Sequence, residues 1–245
     1  QPRAALYWFF RRWIALTSAT LFLATAVLVW NFLQPATETM RHLAPGWILW
    51  IWGRNLALMV LFAGGLHLWL FTLTRQGDRL KYDARPLMKD NATFTFRDQV
   101  RDNAFWTLAS GVTFWTLFEV LYFWGVANGV IPTFALAGNW HWLVLWLLLV
   151  PLFTSAHFYW VHRLLHWPPL YGRVHALHHR SVNIGPWSGM SMHPVESAVY
   201  LSAPLIHMII PSHPLSGLGK SSAGLYPPSS SYASFHSILT RKDRL

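Results

Sequence analysis

Seven of the thirteen histidines fall between residues 157 and 193, in the run SAHFYWVHRLLHWPPLYGRVHALHHRSVNIGPWSGMSMHP. His162 and His166 are four apart, so on a helix they stand one above the other on one face. His175, His178 and His179 repeat the pattern at offsets of three and four. Neutral imidazole is a ligand for iron, copper, nickel and zinc, so two such segments facing each other suit a metal site whose identity residue type leaves open. The chain has no cysteine. Thiolate zinc sites, Cys-ligated iron-sulfur clusters and a cysteine nucleophile are therefore excluded, and a metal must rely on His and carboxylate. Any one of these histidines alone reads as an interfacial or hydrogen-bonding residue. Five at these offsets within 18 residues read as ligands, because a metal motif needs repeated helical spacing and interfacial filler does not.

His193 precedes Pro194 and Glu196 and can be a ligand, a partner that orients one, or an end-of-helix residue. His157 lies five before His162, off its face, and reads as a core residue rather than a lower ligand. Between the two histidine segments, Pro168 and Pro169 are expected to stop the first helix and Gly172 to permit the bend. Glu119, costly in lipid, must face protein, either orienting a ligand histidine or pairing internally. His42, His67, His141, His207, His213 and His236 are scattered.

The elements that must position these residues are apolar and long. The composition is 53% hydrophobic, 16% aromatic and 11% charged, with 16 Trp and 8 Tyr, which fits a membrane protein with interfacial aromatic belts. Uncharged or nearly uncharged runs at 13–33, 47–73, 104–131 and 140–159 are long enough to cross a hydrocarbon core of roughly 30 Å. Arg54, near the start of the second run, reads as snorkelling into the headgroup layer. The segment 74–103 is a polar connection, and 195–210, broken by Pro204, reads as interfacial or re-entrant. The fold class is all-α: a polytopic membrane bundle of about four spans with a cytosolic histidine-rich helical cap. Residues 1–159 hold the spans, 160–214 the metal-binding region and 215–245 a Ser/Gly/Pro-rich tail without helical period.

Formal net charge is +10. The basic residues Arg3, Arg11 and Arg12, those of the 74–103 loop, and Arg163, Arg173 and Arg180 fall on one side of four crossings, which the positive-inside rule makes cytoplasmic. Their partner is the anionic leaflet of the bilayer rather than nucleic acid.

HRLLH at 162–166, HALHH at 175–179 and SMHPVE at 191–196 closely resemble the fatty acid hydroxylase superfamily, in particular sterol desaturase-like proteins. The similarity is read over roughly residues 80–214. The resemblance implies a membrane-bound oxidoreductase with a non-haem di-iron centre, two Fe, using O₂ to hydroxylate or desaturate a sterol or fatty acyl chain. It implies electrons from a separate electron-transfer protein, and His162, His166, His175, His178, His179 and His193 as iron ligands, the metal centre itself being the catalyst. A bacterial inner membrane is favoured over endoplasmic reticulum. The family's third box, of the HxxHH kind, is missing. Only His213 and His236 stand there, and many relatives have a further His where this chain has Ser197, so a truncation or changed reading frame and an inactive form are expected. The alternatives are a membrane zinc-dependent lipid hydrolase, which needs fewer ligands than are present, and a non-catalytic metal-handling membrane protein.

Overall fold

The computed structural model describes residues 21, 24–77, 83, 85–134 and 138–211. The start of the first apolar run, His213, His236 and the tail 215–245 lie outside the described residues. Helices α1 (Ala24–Leu33), α2 (Pro45–Thr72) and α3 (Gln99–Ala127) are followed by α4 (Trp140–Leu165). Then come α5, residues 168–179 as three unbroken helical stretches, and α6 (Pro194–Tyr200). Short 3₁₀ turns lie at Thr37–Arg41, Ser188–Met190 and Ala203–Met208. Among the described residues there is no strand, only a lone bridge between Lys89 and Asp98.

The helix starts follow capping chemistry. Pro45 opens α2 after an extended Ala44, since proline's missing N–H and fixed φ suit the first turn. Asp98 caps α3, its carboxylate accepting from the Arg101 N–H at 2.9 Å. After α3 the chain turns through Gly129 at φ +68° and folds Ile131 back onto Gly125, where a Cβ would stand 2.7 Å from the isoleucine side chain.

α2 and α3, at 28 and 29 residues, are long and apolar enough to cross a membrane. Large apolar side chains project outward from α2 and α4, among them Leu49, Trp50, Leu61, Leu152 and Trp160. α3 is the central helix. Its Val120 and Phe123 pack with Ala26, Val29, Trp47 and Ile51, while its Val112 and Trp115 pack with Met59, Ala63, Trp187 and Met190.

Two expectations are corrected here. Arg54 does not snorkel. It is buried on α2, paired with Glu119 of α3, and donates to Asn55 Oδ1 from Nε and Nη2 and to Gln34 Oε1 at 2.9 Å. Asn55 Nδ2 donates to the other Glu119 oxygen at 2.9 Å, so among the described residues the carboxylate serves the internal pair and no histidine. A complete set of interior partners outweighs the reach to the headgroups. Secondly, α3 begins at Gln99 rather than Ala104, so the end of the polar 74–103 segment is helical, with Gln99, Asp102 and Asn103 buried.

Candidate metal centre

α4 runs beyond the apolar stretch to Leu165, carrying His162 in its last turn with His166 as its C-cap. The reversal is made by residues 166–167. Trp167 is extended and Pro168 starts α5 at its first turn, so the prolines open the second helix as well as ending the first. Gly172 is not the bend. It lies within the helical Tyr171–His175 stretch and is absent from the positive-φ glycines, because one extended residue before an N1 proline already turns the chain.

This reversal brings four histidines together. His162 and His166 place their Nε2 atoms 3.0 Å apart, and His175 and His179 theirs 2.9 Å apart. The candidate ligand atoms of all four lie within 4.8 Å of one another. The His175 ring stands nearly perpendicular to those of His162 and His166, at 4.8 Å from each, while Tyr171 stacks on His166. Four Nε2 atoms aimed at one centre suit a cation, because neutral imidazoles that carry their proton on Nδ1 all turn a lone pair toward it.

Protonation favours the same use. Burial, then the neighbouring His175, His166 and His179, lowers His162 to about 4. Burial and His166 lower His175 to about 4, and burial is the main cause that lowers His178 to about 4. Burial, then His175 and His166, also moves His179 down from its ordinary value. These rings are therefore neutral at pH 7, the form in which imidazole binds metals.

His175 is fully buried, and its Nδ1 lies 2.8 Å from Glu196 Oε1 on α6. A carboxylate behind a histidine holds the proton on the near nitrogen and leaves the far one as a ligand. Burial raises the Glu196 carboxyl to about 8. A cation on the far side of the ring favours its ionised form, with the N–H of His175 pointing to it. The second oxygen, Oε2, is buried with no hydrogen-bond partner among the described residues.

The other sequence candidates sit apart from the four. His178 lies beside them, its ring 5.9 Å from that of His175 and 5.7 Å from that of His179, and its Nδ1 donates to the Ser191 carbonyl at 3.3 Å. His193 caps α6, its Nδ1 accepting from the Val195 N–H at 3.2 Å. His157, half-buried, meets Ser202 Oγ at 3.0 Å. His207 is buried edge-on to Tyr122. Sequence reasoning gave Glu196 no role, since nothing in its spacing points to a histidine 21 residues earlier. It also missed Asp102, which forms an ion pair with Arg180, the residue after His179.

The family model for fatty acid hydroxylase matches residues 146–238. That match starts later and runs further than the stretch 80–214 over which the motifs suggested likeness. The Delta(7)-sterol 5(6)-desaturase ERG3B of Gibberella zeae is 38% identical over 61 residues, covering 25% of this chain and 19% of that protein. Human fatty acid hydroxylase domain-containing protein 2 is 39% identical over 77 residues, 31% of this chain and 21% of that protein. The Delta(7)-sterol 5(6)-desaturase ERG3 of Saccharomyces cerevisiae is 36% identical over 67 residues, 27% and 18%. The chain thus matches about a fifth of the length of these curated relatives. No solved structure matches it. Over residues 146–238 the chain is thus similar to the fatty acid hydroxylase family, and to parts of these sterol desaturase and hydroxylase-domain relatives.

Proposed function

We propose that this chain is a membrane-bound, non-haem iron oxidoreductase that uses O₂ to hydroxylate or desaturate a lipid, a sterol or fatty acyl chain. The observation that carries this reading is the convergence of His162, His166, His175 and His179, with His175 backed by Glu196. Those four residues would hold iron. His178, beside them, is the nearest further imidazole toward a di-iron set, and His193 is a ligand only if its capping bond is given up. Bound iron would supply O₂ activation and the oxidising capacity to take hydrogen from an unactivated C–H bond.

The chain's own residues do the positioning. Glu196 orients the His175 ring, Tyr171 packs the face of His166, and Val161, Leu165 and Val174 close the apolar wall where α4 and α5 meet. A lipid chain approaching along the apolar exterior of α4 reaches His162 and His166 without crossing water. Selectivity then rests on how deeply the chain can enter, because its C–H bonds are chemically alike.

The reading includes about four membrane crossings, at the apolar runs 13–33, 47–73, 104–131 and 140–159, with the histidine cap of residues 160–214 on the cytoplasmic side and a separate protein as electron donor. The loop charges support this orientation. Metal stoichiometry on detergent-purified protein from iron-replete cells is the test. About two irons per chain, lost on replacing His175 or His179 with Ala, is the expected result. One zinc per chain would overturn it in favour of a zinc-dependent lipid hydrolase.

A further inference from the structure

The half of α3 nearest its start carries a buried polar face that the metal reading does not use. Gln99, Asp102, Asn103, Thr107 and Ser110 recur at helical spacing, and all five are buried. Each bonds to residues 180–197, the segment that follows the second histidine pair. Gln99 donates to the Asn183 carbonyl, and Asp102 pairs with Arg180. Thr107 donates to the Trp187 carbonyl at 2.7 Å, and Ser110 and Ser197 share a hydrogen bond at 2.7 Å.

Asn103 is the centre of this face. Its Nδ2 donates to Ser188 Oγ at 2.9 Å, and its Oδ1 accepts from Ser181 Oγ at 2.9 Å and Ser191 Oγ at 3.1 Å. It thus ties both ends of the loop 181–191 to one helix. Gly111, two turns on, lets the turn Ser188–Met190 lie against the helix. A Cβ there would stand 2.9 Å from the Met190 carbonyl oxygen and 3.0 Å from Met190 Cβ, too close for either to stay in place. The same turn ends at Ser191, whose carbonyl accepts from His178 Nδ1.

A fixed carbonyl at Nδ1 keeps the proton there and leaves Nε2 as the ligand nitrogen. At the next step along the face, Ser197 adjoins Glu196, the residue that orients His175. The groups that set the tautomers of two site histidines are therefore both anchored on one side of α3.

We propose that Asn103 is a positioning residue for the histidine site: through the 188–191 turn, seated on Gly111, it holds the Ser191 carbonyl that selects the metal-binding tautomer of His178. This rests on the metal reading above and adds to it a site residue far from the histidines in sequence.

The test is Co²⁺ titration of the detergent-purified full chain, reading affinity by chelator competition and coordination by the visible absorption of the bound ion. Asn103→Leu and Gly111→Ala, one removing the hydrogen bonds and the other displacing the turn, should each weaken binding about tenfold and shift the absorption band. Thr116→Val, on the same helix but bonded to Asn55 and the Val112 carbonyl, should lower thermal stability and leave affinity and band as in wild type. If Asn103→Leu does not fold, Gly111→Ala decides alone. Wild-type uptake with both variants indistinguishable from it, or with Thr116→Val equally altered, overturns this inference alone. A wild-type chain that takes up no Co²⁺ overturns the metal reading and this inference with it.

Discussion

Removing the Glu119 carboxylate should destabilise the helical bundle far more than removing the whole ion pair. In Glu119→Leu the buried Arg54 loses its one acidic partner among the described residues but keeps Asn55 Oδ1 and Gln34 Oε1 as acceptors. Breaking one side of a buried pair costs about 3–5 kcal/mol, and the two surviving acceptors place this case at the lower end, about 3 kcal/mol. In Arg54→Met/Glu119→Leu no charge is left uncompensated, and Asn55 Nδ2 retains Thr116 Oγ1 at 3.1 Å. The double variant should lie within about 1 kcal/mol of wild type, since apolar replacements of buried ion pairs are often neutral or stabilising. Reversible unfolding in mixed micelles of a mild and a denaturing detergent measures all three free energies. Neutral hydrogen bonds between membrane helices contribute about 0.6 kcal/mol on average. A loss of that size in Glu119→Leu, or a double variant less stable than the single, would refute the argument that charge compensation holds α2 against α3.

Three further outcomes follow from the site. Glu196→Gln exchanges a charge-assisted bond to His175 for a neutral one, a difference of about 1–1.5 kcal/mol, so metal affinity in chelator competition should fall about tenfold; an unchanged constant would remove Glu196 from the site. His193→Ala deletes the α6 cap and should cost about 1 kcal/mol in the same detergent unfolding assay while metal content holds; lost metal would make His193 a ligand. In the metal-free chain, His162, His175 and His178 are lowered from 6.5 to about 4, so the unfolded state binds more protons there and stability rises with pH across that window. Glu196, raised from 4.5 to about 8, binds its proton more tightly when folded and makes stability fall as pH rises through that range. Three imidazoles outweigh one carboxyl below about 6.5, and only the carboxyl acts above it. The melting temperature should therefore peak near pH 6.5, and Glu196→Gln should abolish the alkaline fall; a peak at higher pH in wild type would contradict the sign.

The histidine pairs were legible because they are local. Offsets of four on α4 and α5 set His162 over His166 and His175 over His179 whatever surrounds them, and the intervening WPPL fixes the reversal. The apolar stretches of α2 and α3 were legible for the same reason, a nearly uncharged length that needs no partner. Glu119 was legible only as a cost in need of an offset. Its partner Arg54, 65 residues earlier, was assigned to the headgroups because nothing short of the packed bundle shows that α2 lies against α3 at that level.

The start of α3 was misread for a deeper reason. Sequence patterning assigns polar residues to water, so Gln99, Asp102 and Asn103 ended a polar loop instead of beginning a helix. A buried polar face satisfies a different demand. Loop 181–191 brings backbone carbonyls and hydroxyls into the interior, and each requires a donor or acceptor there. A metal site of neutral imidazoles creates that demand, since every ligand ring needs a fixed partner on its other nitrogen, and those partners in turn need support. The helix that supplies it must break the apolar period of its neighbours. In a membrane chain with a histidine motif, a polar break at the mouth of an otherwise apolar helix is therefore where the supporting residues should be sought.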